Sequence, residues 1–178
     1  LEQVKILGID PSLRNTGLAI VTYNSELPLN DPKAFKVSHC QVVVNPPKYT
    51  GVDAILSMLD MLDTESKKEC YENAETVIIE SPAIMFNKGW SGGTISSIAH
   101  ISGGSVALFG IDKARIFRPN EWNKSRKKEV THQRALELLG DPDTWHYEKR
   151  IKSEKYMEHI LDAASMALFW IKNNYLEE

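Results

Sequence analysis

Apolar and polar positions along the chain switch between two periods. Val4–Asp10 (VKILGID) is short, apolar and β-leaning, which predicts a buried strand. Pro11-Ser12-Leu13-Arg14-Asn15-Thr16-Gly17 follows as a turn, by its Pro, Asn and Gly. Leu18–Tyr23 (LAIVTY) then predicts the second strand of a hairpin. A loop over 24–35, with Pro28, Asn30, Asp31 and Pro32, leads to Val37–Val44, a third antiparallel strand ended by Pro46-Pro47. Over Val52–Cys70 the period becomes helical, with Ile55, Met58, Leu59 and Leu62 on one face. Thr76–Glu80 (TVIIE) reads as a fully buried strand, Pro82–Gly93 as a loop, and Thr94–Phe109 as a helix rich in small residues. Ala114–Phe117 is a fifth strand closed by Pro119, and Ser125–Leu139 a basic amphipathic helix stopped by Gly140. After a loop over Asp141–Arg150, Ser153–Tyr175 forms a long last helix.

Three hairpin-joined strands followed by alternating helices and strands imply an α/β fold. The expected core is a mixed five-stranded sheet with helices on both faces. At 178 residues the chain is sized for one domain, spanning 1–178, with no internal repeat. No apolar run is long enough to span a bilayer and no secretory leader is apparent. A cytoplasmic protein without membrane contact is therefore expected. Cys40 and Cys70 fit neither CxxC nor zinc spacing and read as free thiols. The net charge of -3 does not announce a nucleic-acid binder, but its distribution does more. Lys113 to Lys155 holds twelve Lys/Arg against seven Asp/Glu, and the rest nine against seventeen. A basic segment on an acidic body is a usable footprint for phosphate.

The candidate chemistry lies in acids with apolar neighbours. Asp10 ends the first strand, and Glu80 ends the fourth after Val77-Ile78-Ile79. A carboxylate at the end of a buried strand is costly without a counter-charge or a metal. If those strands are neighbours, both side chains emerge at one sheet edge. In the last helix His159 and Asp162 are three apart, share a face, and lie among Met157, Ile160, Leu161, Ala163 and Ala164. Each residue also has a plainer reading. Asp10 could cap the turn, Glu80 could be a strand-end charge in water, His159 a satisfied half-buried histidine, and Asp162 a partner for Lys or Arg. Together the four form a convergent set, and hard oxygen donors with one imidazole suit Mg²⁺ or Mn²⁺.

The motifs around these residues resemble a known family. GIDPSLRNTGLAIV at 8–21, VIIE at 77–80 and HILDAASMAL at 159–168 resemble, in order and spacing, the opening strands, second acidic strand and closing helix of RuvC-type Holliday junction resolvases. The resemblance covers essentially the whole chain and implies an RNase H-like fold, in a phage or otherwise divergent member. It implies Asp10, Glu80, His159 and Asp162 as ligands of two Mg²⁺ or Mn²⁺ ions. It also implies phosphodiester hydrolysis in branched DNA, by a homodimer built on a helix equivalent to Thr94–Phe109. RPNEWNKSRKKEV at 118–130 resembles the segment whose lysines approach the phosphate, so Lys124 and Lys127 are catalytic candidates and Lys128 a third. DNA contacts are expected from these lysines with Arg126, and from Phe86, Lys88 and Trp90 in the loop after Glu80. The sequence departs from the pattern at Ser12, where Gly is frequent, and at Ser165. A second alignment would put Ser165 at a ligand position; the first is preferred because it gives His159 a role. Two other functions compete: an RNase H or flap-type nuclease using the same carboxylates, and an inactive DNA-binding module. An actin-like or sugar-kinase ATPase also begins with a GIDPS-like strand, but needs far more chain.

Overall fold

The structure, a computed structural model, describes residues 3–82, 92–123, 127–148 and 153–175. The strands are β1 (Gln3–Asp10), β2 (Asn15–Asn24), β3 (Phe35–Val44), β4 (Thr76–Glu80) and β5 (Ala114–Phe117). The helices are α1 (Gly51–Ser66), α2 (Glu69–Glu72), α3 (Gly92–Phe109), α4 (Pro119–Asn123), α5 (Lys128–Leu139) and α6 (Glu154–Asn174). The sheet order is β3-β2-β1-β4-β5. The first three strands are antiparallel and β1, β4 and β5 parallel, so the expected mixed five-stranded α/β sheet is the one observed.

Alternation along the strands divides the core between the two faces. Val4, Ile6, Ala19, Val21, Val37 and Ile78 pack under α5 and α6, with Ile160, Ala163, Ala164, Ala167 and Ile171 of α6 fully buried on them. Leu7, Ile9, Leu18, Ile20, Val77 and Ile79 pack under α1 to α3 through Met58, Leu62, Tyr71 and Ile101. A short stretch after Leu139 covers the β3 edge: Cys40 N–H donates to His146 O at 2.9 Å, and Glu148 N–H to Cys40 O at 3.3 Å.

Four expected boundaries change. The first turn shrinks to Pro11–Arg14, because Thr16 and Gly17 already pair with Val43 and Asp10. The helix expected over Val52–Cys70 breaks after Ser66, whose hydroxyl donates to the Asp63 carbonyl, and Lys68 turns extended. Its ammonium there pairs with Glu65 and Glu148, each at 2.6 Å. Pro119 starts a short helix rather than closing a strand, since a first-turn proline forfeits no helical hydrogen bond. The basic helix begins, among the described residues, at Lys128.

Candidate active site

The site is built where β1 and β4 end side by side. Their parallel register runs to Ile9 opposite Ile79, so the next residues, Asp10 and Glu80, project on the same face. That face is the one α6 covers. Two glycines let α6 come close. A Cβ on Gly8 would collide with the carbonyl oxygen of Ala163, and one on Gly17 with the carbonyl of His159. The backbone of α6 therefore lies against β1 and β2 with no side chain between. His159 Nδ1 and Asp10 Oδ2 meet at 2.6 Å, across 149 residues of sequence.

Asp10 is 7% exposed and is free of the turn that follows it. That turn is closed by its own polar atoms: Ser12 Oγ accepts from Arg14 N–H at 3.3 Å, and Thr16 Oγ1 accepts from Ser12 N–H at 3.1 Å. The buried Asn45 amide ties the turn down through Leu13 O at 2.9 Å and Ala54 O at 2.6 Å. Ser12 thus does the capping that Asp10 could have done.

Glu80 accepts the indole N–H of the buried Trp122 at 3.0 Å, and its carbonyl accepts from Ser102 Oγ at 2.9 Å. Asp162, 8% exposed, has both oxygens engaged from α5. Lys128 Nζ lies 2.6 Å from Oδ2 and His132 Nε2 2.7 Å from Oδ1. Lys128 also lies 3.6 Å from Glu158. Ser165 is buried and its hydroxyl makes no hydrogen bond among the described residues.

The electrostatics are those of crowded, desolvated acids. Burial pushes the Glu80 carboxyl up to about 8, helped by the charges of Asp10 and Asp162 and opposed by the Trp122 hydrogen bond. Burial likewise raises Asp10, with His159 opposing and Asp162 adding to the effect. Burial works against the charge on Lys128, yet its ammonium is held more strongly than usual by Asp162, Asp10 and Glu158. Three carboxylates from β1, β4 and α6 therefore share one field, with Lys128 as resident cation. Among the described residues, no three His, Cys, Asp or Glu side chains already close around a common point at metal-binding range. The donor set still fits a hard divalent cation in its chemistry: excess buried negative charge, oxygen ligands and one imidazole.

Of the expected site residues, Asp10, Glu80, His159 and Asp162 are thus brought into one neighbourhood. Lys128 touches Asp162, while Lys127 is exposed at the position just before α5. Phe86, Lys88, Trp90, Lys124 and Arg126 lie outside the described residues. The sequence reading missed Trp122 and His132. Signals for both existed, since a buried indole N–H needs an acceptor, and position 132 is one turn beyond Lys128 on the same helix face.

No family model and no curated protein matches the chain in sequence. Solved structures match it in fold. Thermus thermophilus RuvC in complex with a Holliday junction substrate is 14% identical, with 97% of each chain covered and a TM-score of 0.64. The fowlpox virus resolvase, solved with substrate Holliday junction DNA, is 16% identical over 98% of this chain and 100% of its own, at a TM-score of 0.54. The yeast mitochondrial Holliday junction resolvase Ydc2 is 14% identical over 95% of this chain and 79% of its own, at 0.58. The fold is therefore RNase H-like, of the type these junction resolvases share.

Proposed function

We propose that this chain is a divalent-metal-dependent endonuclease that cuts Holliday junctions and related branched DNA by phosphodiester hydrolysis. The observation that carries the reading is that Asp10 and Glu80 project from adjacent strand ends toward the helix that carries His159 and Asp162, where His159 reaches Asp10 at 2.6 Å. Asp10, Glu80, His159 and Asp162 would hold the cations, Mg²⁺ or Mn²⁺, two per site. Such ions, when bound, polarise the scissile phosphate and acidify a water to serve as nucleophile.

The chain's own residues have separable tasks. Trp122 fixes one oxygen of Glu80. His159 orients Asp10 from the helix that the glycines admit. The Lys128 side chain is 46% exposed, long enough to turn from Asp162 to a phosphate oxygen and offset negative charge developing there. Lys127, just before the positive end of α5, would track the DNA backbone, and Lys124 and Arg126 would add phosphate contacts. Phe86 and Trp90 would stack on unpaired bases at the branch point, with Lys88 on a neighbouring phosphate. A homodimer would present two such sites to a four-way junction, whose strands carry a matching twofold.

The test is cleavage of a labelled immobile four-way junction, with linear duplex, flap and RNA–DNA hybrid in parallel. Each is run with Mg²⁺, Mn²⁺ and EDTA, and with Asp10→Asn as control. Paired nicks in the junction that need metal and vanish in Asp10→Asn are expected. Preference for the hybrid or flap would move the function to another nuclease of this fold. Junction binding without cutting, in either metal, would leave an inactive DNA-binding module.

A further inference from the structure

His132 makes its one described hydrogen bond to the buried Asp162 and has no task in the proposed reaction. It sits one turn after Lys128 on α5, and the two residues divide Asp162 between them: Nε2 to Oδ1 at 2.7 Å, Nζ to Oδ2 at 2.6 Å. The contacts differ in kind. The Lys128 ammonium ends a flexible four-carbon stem whose side chain is 46% exposed, and it also faces Glu158. The imidazole of His132 is short, rigid and only 12% exposed. Asp162 Oδ1 accepts, so Nε2 carries the hydrogen that donates to it.

A divalent cation approaching Asp162 meets two obstacles of unequal mobility. The ammonium, on a flexible and 46% exposed side chain, can swing into water and be resolvated once a cation takes over its charge on Asp162. The imidazole cannot leave without stranding a buried donor and a carboxylate oxygen. We infer that His132 is a positioning residue: it stays on Oδ1 and presents Asp162 to an incoming divalent cation through Oδ2, the oxygen Lys128 guards. Partners that hydrogen-bond a ligating carboxylate fix its orientation, and their loss costs roughly 10–100-fold in metal affinity. The inference rests on the divalent-cation reading of the site. It gives two neighbours on one helix opposite effects on ion binding.

The experiment is Mn²⁺ titration of the full chain by calorimetry, with free Mn²⁺ followed by electron paramagnetic resonance, in the absence of DNA. His132→Ala is expected to weaken Mn²⁺ binding by about 10–100-fold. His132→Gln, whose side-chain N–H reaches a similar point, is expected to recover most of that loss. Lys128→Met is expected to bind Mn²⁺ as tightly as the parent chain or more tightly, while losing cleavage. Unchanged Mn²⁺ affinity in His132→Ala would overturn the inference, whether or not its melting temperature falls. His132→Gln as weak as His132→Ala would overturn it too, since the hydrogen bond would not be the cause. A parent chain that binds no Mn²⁺ overturns the metal reading itself, an outcome plainly different from either.

Discussion

Glu80 ties the site to the stability of the fold. Its carboxyl is ordinarily half-protonated at 4.5 and in the folded chain at about 8, chiefly through burial. A group that holds its proton more tightly when folded contributes most below 4.5, and that contribution is lost as pH rises to about 8. Asp10 is shifted the same way. The metal-free protein should therefore lose thermal stability across that window. Glu80→Gln should flatten the loss, and Mn²⁺ should relieve it at the alkaline end, where a cation replaces the missing proton. Calorimetric melting of both chains at several pH values, with and without Mn²⁺, checks this; a melting temperature that rises through the window would sink it. The same burial explains what could be read from the chain alone. Asp10, Glu80 and Asp162 stood out because acids inside apolar runs are anomalous, and His159 because it shares a face with Asp162. Trp122 and His132 did not, since an indole in a loop and a histidine on a basic helix look like surface until tertiary contacts choose their partners. Lys128 ranked behind Lys124 and Lys127 for a related reason: adjacent lysines are equivalent until the helix start sets which one points inward.

Among the elements, the decisive contact is α6 against β1 and β2, and glycine makes it possible. Side chains at Gly8 and Gly17 would meet backbone, not a flexible tip, so α6 could not keep its place. Gly8→Ala should cost about 1–3 kcal/mol by overpacking. It should also lift His159 and Asp162 away from Asp10, so cleavage should fall by more than the stability loss accounts for. Gly103 makes a useful control, because a Cβ there meets nothing within 4 Å. Gly103→Ala should keep full stability, helped by about 0.5–1 kcal/mol of helix propensity. Equal behaviour of the two variants in melting would refute the close-approach account. All five strands were legible because period and composition agree in them. The break at Lys67-Lys68 was not, because it depends on the distant Glu148, and the start of β2 was not, because Thr16 and Gly17 are turn-like residues that the pairing with β1 and β3 overrides.

For the molecule as a whole, the unsettled surface is the side of the sheet away from α6. There α3 spends part of its small-residue pattern inside the chain, since a Cβ on Gly104 would strike Leu59 of α1. The rest faces outward: Ser96, Ala99, His100, Gly103 and Ala107 are exposed at helical spacing. On α1, one turn apart, Val52 and Leu56 are also exposed, at 69% and 59%. Small residues permit close helix approach, which suits the outward stripe of α3 to an isologous contact with a second copy. The family resemblance singled out this helix for a dimer contact, but the sequence could not tell its inward from its outward residues, because Gly103 and Gly104 differ only in which way they face. If the outward stripe carries the dimer, Ala99→Glu buries an unpaired charge at its centre and should shift the chain to monomer in sedimentation velocity. The consequence for cleavage follows from symmetry. A dimer holds both strands of a junction at once, so its two nicks are coupled; a monomer that keeps Asp10, Glu80, His159 and Asp162 should still nick, but singly. A supercoiled cruciform plasmid separates these results, since paired cuts linearise it and a single cut only relaxes it. Linear product from Ala99→Glu at the parent's rate would remove α3 from the dimer contact, and a parent chain that stays monomeric on junction DNA would remove the dimer.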